Sequence, residues 1–181
     1  ALNMIEIVDR NLYVRLCDVR WWATASAIVD CVAHDTREHR AFASERLGVI
    51  LDSYTVYLDL WVIDMEGNVV ATGRPGQFAT AAQANVADEP WFKAAAKSAS
   101  GAEYAAAELA SMAALNGAAV ATYAAAIREG GANRGRPLGV LAVFFNWTPQ
   151  ASTVVKGVRL SVEEWTRTRC LLVDARKLRV M

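Results

Sequence analysis

Hydrophobic positions near the start of the chain recur at steps of three and four. Residues 2–34 contain neither Pro nor Gly. One face of a helix over this range would collect Ile5, Val8, Leu12, Leu16, Val19 and Ala23. The pattern predicts one continuous helix of about 33 residues, or about 50 Å. A cap at Asp35 or Thr36 predicts a second helix that runs to about Asp52, so that residues 1–53 form a helical stalk.

A hairpin pattern occurs twice. The first copy spans residues 61–71, inside a hairpin over 54–73 whose turn is Glu66-Gly67-Asn68, and the second spans 171–181. Apolar runs on both sides of a short polar turn are typical of paired antiparallel strands. The second copy predicts that residues 158–181 are a linker and the start of a second, truncated module.

Between the two hairpins the sequence predicts a short helix and three strands. The helix begins at Trp91 and runs to about Ser100, after a loop over 74–87. Strands are predicted over residues 102–112, 117–128 and 138–147. The Ala-rich composition of 102–128 favours a helix, but Asn116-Gly117 is a hairpin turn signal, and we give it the greater weight. The predicted fold class is therefore α+β.

Alternation along the two Ala-rich strands predicts which residues share a face. The first strand would group Tyr104, Ala106, Glu108 and Ala110, and Glu108 is the unusual member of that row. The second strand would group Ala119, Ala121, Tyr123, Ala125 and Ile127. Rows of Ala with an occasional Tyr leave room beside a polar tip, as in ligand pockets. An Ala floor covered by helices explains the same rows equally well.

The order of these elements resembles the Cache family of PAS-like sensor domains. The matching motifs are the hairpin Tyr57–Ala71, the helix start Glu89-Pro90-Trp91-Phe92-Lys93-Ala94-Ala95 and the strand Pro137–Trp147. The resemblance covers about residues 1–157 and implies a mostly antiparallel sheet of about five strands over 54–157. The second hairpin looks like the start of the second module of a double Cache.

The resemblance implies that the chain senses small molecules. The family provides the sensory regions of bacterial chemoreceptors, histidine kinases and cyclic-dinucleotide enzymes, so ligand binding would bias the long helix and a downstream output domain in the same chain would respond. Most members are extracytoplasmic and membrane-tethered. Ala1 and the end of the sequence inside a strand pattern suggest an excised piece of a longer protein.

The resemblance also suggests a ligand class. An amino-acid-binding subset carries a Tyr, an Arg, a Trp-Tyr pair, a later Tyr and a later Asp. Trp91 and Ala95 match this pattern, and Tyr123 lies near the later Tyr position. Glu89 stands at the Arg position, Phe92 replaces the second aromatic residue and Asn146 lies in the Asp region. Without the Arg a ligand carboxylate lacks its strongest partner, which favours a neutral or cationic ligand.

The predicted pocket lies between the sheet and segment 74–95. Trp91 and Phe92 would form its wall, Tyr104 and Tyr123 would offer hydroxyl groups and Asn146 an amide. The Trp-Phe pair could equally serve only to anchor the short helix on the sheet, because large aromatic side chains dominate core packing.

Composition and missing motifs argue against several other functions. The net charge is zero, which removes the electrostatic argument for a nucleic-acid partner. No apolar run approaches about 18 residues, so no membrane span is predicted. The sequence has no hydrolase, metalloprotease or phosphate-loop motif, and we expect neither an enzyme nor a cofactor. His34 and His39 are expected to face solvent rather than to bind a metal.

Cysteine usage and helix length bear on location and assembly. Cys17, Cys31 and Cys170 are an odd, scattered set that predicts neither disulfides nor a zinc site and leaves a cytoplasmic location open. The apolar stripe of the first helix predicts a parallel homodimer through that helix. Two other functions remain open: a dimerisation module that binds no ligand, and a small enzyme of unrecognised type.

Overall fold

The computed structural model describes residues 16–156 and 161–169 of the chain. Residues 16–22 are helical (α1). The further helices are α2 (Ser26–His34), α3 (Arg37–Ser53), α4 (Pro90–Ala96), α5 (Trp147–Lys156) and α6 (Val162–Trp165). The strands are β1 (Tyr57–Asp64), β2 (Val69–Thr72), β3 (Ala105–Ala106), β4 (Ala110–Met112), β5 (Ala118–Arg128) and β6 (Pro137–Asn146).

The strands form one antiparallel sheet in the order β2-β1-β6-β5-β3, with β4 also paired to β5. The hairpin β1–β2 is the predicted one, and Gly67 takes a positive φ of 86° in its turn. β6 lies between β1 and β5, so the last long strand joins the first hairpin to the Ala-rich strands. The predicted α+β fold with a mostly antiparallel sheet is confirmed.

Both faces of the sheet are buried. The first face is covered by α1, α2 and α3, and we call its buried residues the helical-side core, which includes Val19, Ile28, Leu47, Tyr57, Tyr123 and Phe145. The second face is covered by α4 and the loop before it, and we call its buried residues the α4-side core, which includes Trp61, Phe78, Trp91, Phe92, Val120 and Phe144. The sheet is therefore the middle of three layers.

The predicted continuous first helix is wrong in the part that the structure describes. α1 ends at residue 22, and Ala25 has an extended backbone (φ −65°, ψ 133°) before α2 begins. The Thr24 hydroxyl donates to the carbonyl oxygen of Trp21 at 2.7 Å, a local bond that competes with the helix. A Cβ on Gly131 would lie 2.8 Å from the carbonyl oxygen of Thr24, so the turn packs closely against residue 131.

The periodic pattern could not reveal this break, because the buried stripe runs through it. Val19 and Ala23 are buried as predicted, and Ala27 and Cys31 continue the buried side in α2. The described part of the stalk consequently lies on the sheet. Residues 1–15, which carry the beginning of the predicted stripe, lie outside the described residues.

The Ala-rich region forms strands rather than a helix. Asn116 and Gly117 have positive φ values of 56° and 74°, as the predicted turn requires. The single strand predicted over 102–112 is instead the two short strands β3 and β4. The extended pairing is interrupted after residue 107, but exposure still alternates: Tyr104, Ala106, Glu108 and Ala110 are exposed, and Ala105 between them is buried, as the predicted grouping requires.

The remaining elements lie close to their predicted positions. α3 ends at Ser53, against a predicted end near Asp52, whereas α4 ends at Ala96 rather than near Ser100. The second predicted hairpin lies outside the described residues. Within 16–156 and 161–169, none of the helices is long and apolar enough to cross a membrane.

The packing of α3 can be tested with two substitutions on one helix. Leu47 is fully buried against the sheet, whereas Val49 is 48% exposed. Leu47→Ala should lower the free energy of unfolding by about 2–5 kcal/mol, because it removes buried methyl groups and leaves a cavity. Val49→Ala should change it by less than about 0.5 kcal/mol. Urea unfolding measures both, and equal losses would contradict the described orientation of α3.

Candidate ligand-binding site

A pocket of about 500 Å³ lies between α4 and the chain around β3. One wall consists of Glu89, Pro90, Trp91 and Ala94, and the other of residues 105–108. Its volume falls within the range of small-molecule sites, and its lining is mostly apolar with few polar groups. We call it the α4–β3 pocket.

The start of α4 sets the shape of the first wall. Pro90 occupies the first turn of the helix, where its missing N–H is no loss, and Glu89 is the N-cap residue. The ring of Trp91 makes edge contacts with Phe92 at 6.4 Å and with Phe144 of β6 at 6.2 Å between centroids. Trp91 therefore lines the pocket and also anchors α4 on the sheet.

The buried side chain of Asp59 holds a further aromatic ring, that of Trp61, which packs on Phe144. Oδ2 of Asp59 accepts a hydrogen bond from Nε1 of Trp61 at 2.8 Å, and Trp61 packs on Phe144 with a centroid distance of 4.3 Å. Oδ1 of Asp59 accepts from the backbone N–H groups of Leu60 at 2.8 Å and of Gly73 and Arg74 at 3.1 Å. Asp59 is fully buried, and this burial raises the pKa of its carboxyl group although all four donors lower it.

Asp59 also fixes the loop that leads to the pocket. Its bonds to Gly73 and Arg74 hold the chain where it leaves β2, at the start of the stretch that reaches Glu89. The guanidinium of Arg74 donates to the carbonyl oxygens of Leu58 at 3.1 Å and Leu51 at 3.3 Å. The loop is thus tied to β1 and to the end of α3 before it reaches α4.

The charged residues that line the pocket are both acidic. Glu89 stands on the α4 wall and Glu108 on the opposite wall, and no basic side chain is among the described residues that line it. Lys93, on the next turn of α4, pairs with Asp88 at 3.0 Å on the surface. The described lining therefore contains no arginine or lysine that could pair with a ligand carboxylate.

The structure brings only part of the predicted site together. Trp91 lines the pocket, Phe92 is buried behind it in the α4-side core, and Tyr104 is exposed directly before the lining residue Ala105. Asn146 is half-buried at the end of β6, opposite Val120. Alternation places Asn146 on the α4 side of the sheet, but it does not line the pocket.

Tyr123 lies on the other face of the sheet. It is buried in the helical-side core with Tyr57 and Phe145, where α1–α3 cover it. A side chain on this face cannot reach a pocket on the α4 side, because the sheet lies between them. Sequence reasoning placed Tyr123 by its neighbourhood in the chain and did not determine which way the strand faces.

Sequence reasoning also missed most of the lining. Ala94, Ala105 and Ala107 carry no chemical signal in the sequence, whereas Ala106 and Glu108 stood together in the row that resembled a ligand pocket. The signal for Glu89 was its place before the Pro-Trp helix start. Neither signal indicates which parts of the chain face each other across the pocket.

The other candidate groups do not form a site in the described part of the chain. Cys17 and Cys31 are free thiols, and burial raises the pKa of Cys31 to about 11, which keeps that thiol protonated. His34 and His39 stack with ring centroids 4.8 Å apart near the α2–α3 corner. Among the described residues, no group of three or more His, Cys, Asp or Glu side chains could hold a metal ion.

Comparison with known proteins gives matches among solved structures. No family model and no curated protein matches the sequence. The sensor domain of the V. cholerae histidine kinase DctB matches with a TM-score of 0.72 at 14% identity, over 88% of this chain and 56% of that chain. The ligand-binding domain of the Campylobacter jejuni chemoreceptor Tlp3, in complex with 4-methylisoleucine, matches with a TM-score of 0.62 at 14% identity, over 87% and 58%.

A second chemoreceptor gives a similar result. The ligand-binding domain of Pseudomonas fluorescens CtaA, in complex with L-serine, matches with a TM-score of 0.59 at 15% identity, over 84% of this chain and 59% of that chain. The chain thus spans little more than half the length of these structures. The matches show that it has the fold of these sensory domains, which confirms the predicted Cache-type resemblance at the level of the fold.

The protonation of Asp59 gives the supporting network a testable pH dependence. Because burial raises the pKa of Asp59 in the folded state, the folded protein holds this proton after the unfolded chain has released it. The Asp59 contribution to stability is therefore full below the ordinary Asp pKa of about 3.8 and is lost as pH rises through the raised value.

Comparison with Asp59→Asn isolates this contribution. At the acidic end we expect the Asn variant to be less stable by about 1–3 kcal/mol, because its amide points a donor at an N–H donor. The advantage of the unsubstituted protein should shrink as pH rises. Urea unfolding of both proteins over a series of pH values measures the difference. If the stability advantage of the unsubstituted protein instead grows with pH, the four hydrogen-bond donors lower the Asp59 pKa by more than burial raises it.

Proposed function

We propose that the chain is a small-molecule-sensing domain of a bacterial signal-transduction protein of the chemoreceptor or sensor-kinase type. The observation that carries the proposal is the α4–β3 pocket, in a fold shared with ligand-binding domains of chemoreceptors. By the same likeness the domain belongs outside the cytoplasm, in a membrane-tethered receptor whose output domain lies elsewhere in the full-length chain. Its role is binding rather than catalysis.

The ligand that fits the lining best is a compact organic cation, with a neutral molecule as the weaker alternative. Glu89, on the α4 wall, offers a carboxylate that has no hydrogen-bond partner among the described residues. Trp91 supplies an aromatic ring beside it, and cations are attracted to the faces of such rings. The amino acids in the compared chemoreceptor structures carry a carboxylate, and no described residue that lines this pocket offers it a cationic partner.

Small probes can test this ligand class directly. Choline and ethylamine should raise the thermal midpoint of the protein, and acetate at the same concentration should not, because ligand binding stabilises the folded state by mass action. Glu89→Gln should raise the dissociation constant of the cations about tenfold, since it replaces a charge-assisted contact by a neutral one. Isothermal titration calorimetry measures this change.

Asp88→Asn is the matched control for Glu89→Gln. It removes the same charge one residue away, from an exposed carboxylate that pairs with Lys93 and does not line the pocket. If both substitutions raise the dissociation constant of the cations equally, Glu89 acts through the overall charge of the domain and not through a direct contact with the ligand. Stabilisation by acetate alone would contradict the proposed ligand class.

Assembly through the first helix is the second part of the proposal. Trp21 on α1 is 71% exposed, and Phe42 of α3 is exposed beside a groove of about 350 Å³ that both residues line. Exposed apolar patches of this kind mark interaction surfaces. They support the predicted homodimer and also favour the alternative in which the domain only dimerises and binds no ligand.

The dimer can be tested by one substitution at this surface. Trp21→Glu should raise the dimer dissociation constant at least about tenfold, because exposed aromatic residues supply much of the binding energy of an interface. It should leave folding intact, since Trp21 is mostly exposed. Analytical ultracentrifugation measures the constant, and Met65→Glu, at the exposed tip of the β1–β2 hairpin, is the control. A monomer at all concentrations would contradict the dimer.

A further inference from the structure

The two walls of the α4–β3 pocket are joined by a short connection, residues 97–104, which other parts of the fold hold in place. At its start, the guanidinium of Arg128 donates to the backbone carbonyl oxygen of Ser98 and, at 3.1 Å, to the Ser98 hydroxyl. Arg128 ends β5 and also donates to the carbonyl oxygen of Gly135 at 2.8 Å. The connection is therefore fixed to the β5–β6 end of the sheet.

Near its other end the connection contacts α1. The guanidinium of Arg20 donates to the carbonyl oxygen of Ala102 at 3.0 Å and to that of Leu16 at 3.1 Å. The Ala102 bond links residue 20 of α1 to a residue 82 positions later in the chain. Arg20 thus joins α1 to the segment that leads into the β3 wall of the pocket.

Two bonds within the connection and one to Asn133 make it a compact unit. The Glu103 carboxylate accepts from the backbone N–H of Ala99 at 3.1 Å and from the Ser100 hydroxyl at 3.4 Å. The N–H of Gly101 donates to the carbonyl oxygen of Asn133 at 2.8 Å. A displacement at one end is therefore passed along the segment instead of being absorbed by a loose loop.

The two arginine contacts differ in what it costs to break them. Arg128 is only 5% exposed, and its Nε already lacks a partner among the described residues, so losing Ser98 would leave more of a buried cation without hydrogen bonds. The Arg20 contact with Ala102 is exposed, and water can replace the carbonyl at small cost. The Ser98 contact is therefore the costly one to break, and the Arg20–Ala102 contact is the one that water can replace.

We propose that residues 97–104 couple the occupancy of the pocket to α1, with Arg128 as the fixed point and Arg20 as the contact that responds. The proposal rests on the proposed sensing function and names its regulation. A ligand between α4 and β3 changes the distance between the two elements that the connection joins. Because the contacts at Ser98 and Gly101 are held, the change appears at the exposed bond between Arg20 and the Ala102 carbonyl oxygen.

The test fills the pocket with a side chain, so it needs no ligand. Ala106 lines the pocket, and Ala106→Phe places a ring in it. Hydrogen exchange should change about threefold or more at the amides of residues 99–103 and of 17–22, the scale set by gaining or losing one hydrogen bond. In the Arg20→Gln background the change at 99–103 should persist, and the change at 17–22 should disappear. Arg40→Gln, at the exposed Arg40–Asp35 pair, is the matched control.

Two results overturn the proposal. The first is an equal response at 17–22 with and without Arg20, and the second is no response at 99–103 when the pocket is filled. If Ala106→Phe does not fold, Ala94→Phe fills the pocket from the α4 wall, and if Arg20→Gln does not fold, Arg20→Met also removes the donor to Ala102. Failure of choline and ethylamine to bind would count against the proposed ligand class and leave this coupling result intact.

Discussion

The structure depends on a sheet that is buried on both faces. In β6, every residue from 139 to 145 is buried, and β1 and β5 flank it with long buried runs of their own. Such a sheet is stable only if both faces are covered, because each apolar face left in water loses its hydrophobic stabilisation. The helices α1–α3 cover one face. On the other face the cover is the 73–89 loop and the short helix α4, and a cover of this kind leaves room for a pocket.

Two of the buried polar side chains, Asp59 and Arg128, lie where this thinner cover is joined to the sheet. Asp59 ties β1 to the start of the loop through Gly73 and Arg74, and Arg128 ties β5 to the chain after α4 through Ser98. Burying a charge is costly unless its hydrogen bonds are satisfied, so such residues hold specific backbone groups in place. Together they hold both ends of the segment that carries Trp91, and the position of the pocket wall follows from them.

The sequence allowed prediction of the elements that have a strong local signal. The hairpin turn at Gly67, the Asn116-Gly117 turn and the Pro90-Trp91 helix start have direct stereochemical reasons, and all three are found. The break at Thr24 has no Pro or Gly to announce it, because it depends on a packing contact with Gly131. Predicting the residues that line the pocket requires knowing which side chains of each strand face α4. A one-residue difference in register exchanges the two faces of a strand. For this reason Tyr123 was predicted as a pocket residue although it packs under the helices.

A shared fold does not determine the ligand. The partners of two arginine side chains in this chain show why. A carboxylate ligand needs an arginine or lysine whose donors point into the pocket. Arg128 is the buried arginine close to the end of α4, but its partners are backbone carbonyls and a hydroxyl, and Arg20 likewise donates to backbone carbonyls. Both arginines hold the frame of the pocket and are not available to a ligand. Among the described residues that line the pocket, the charged ones are Glu89 and Glu108, although the fold is shared with a chemoreceptor domain in complex with L-serine.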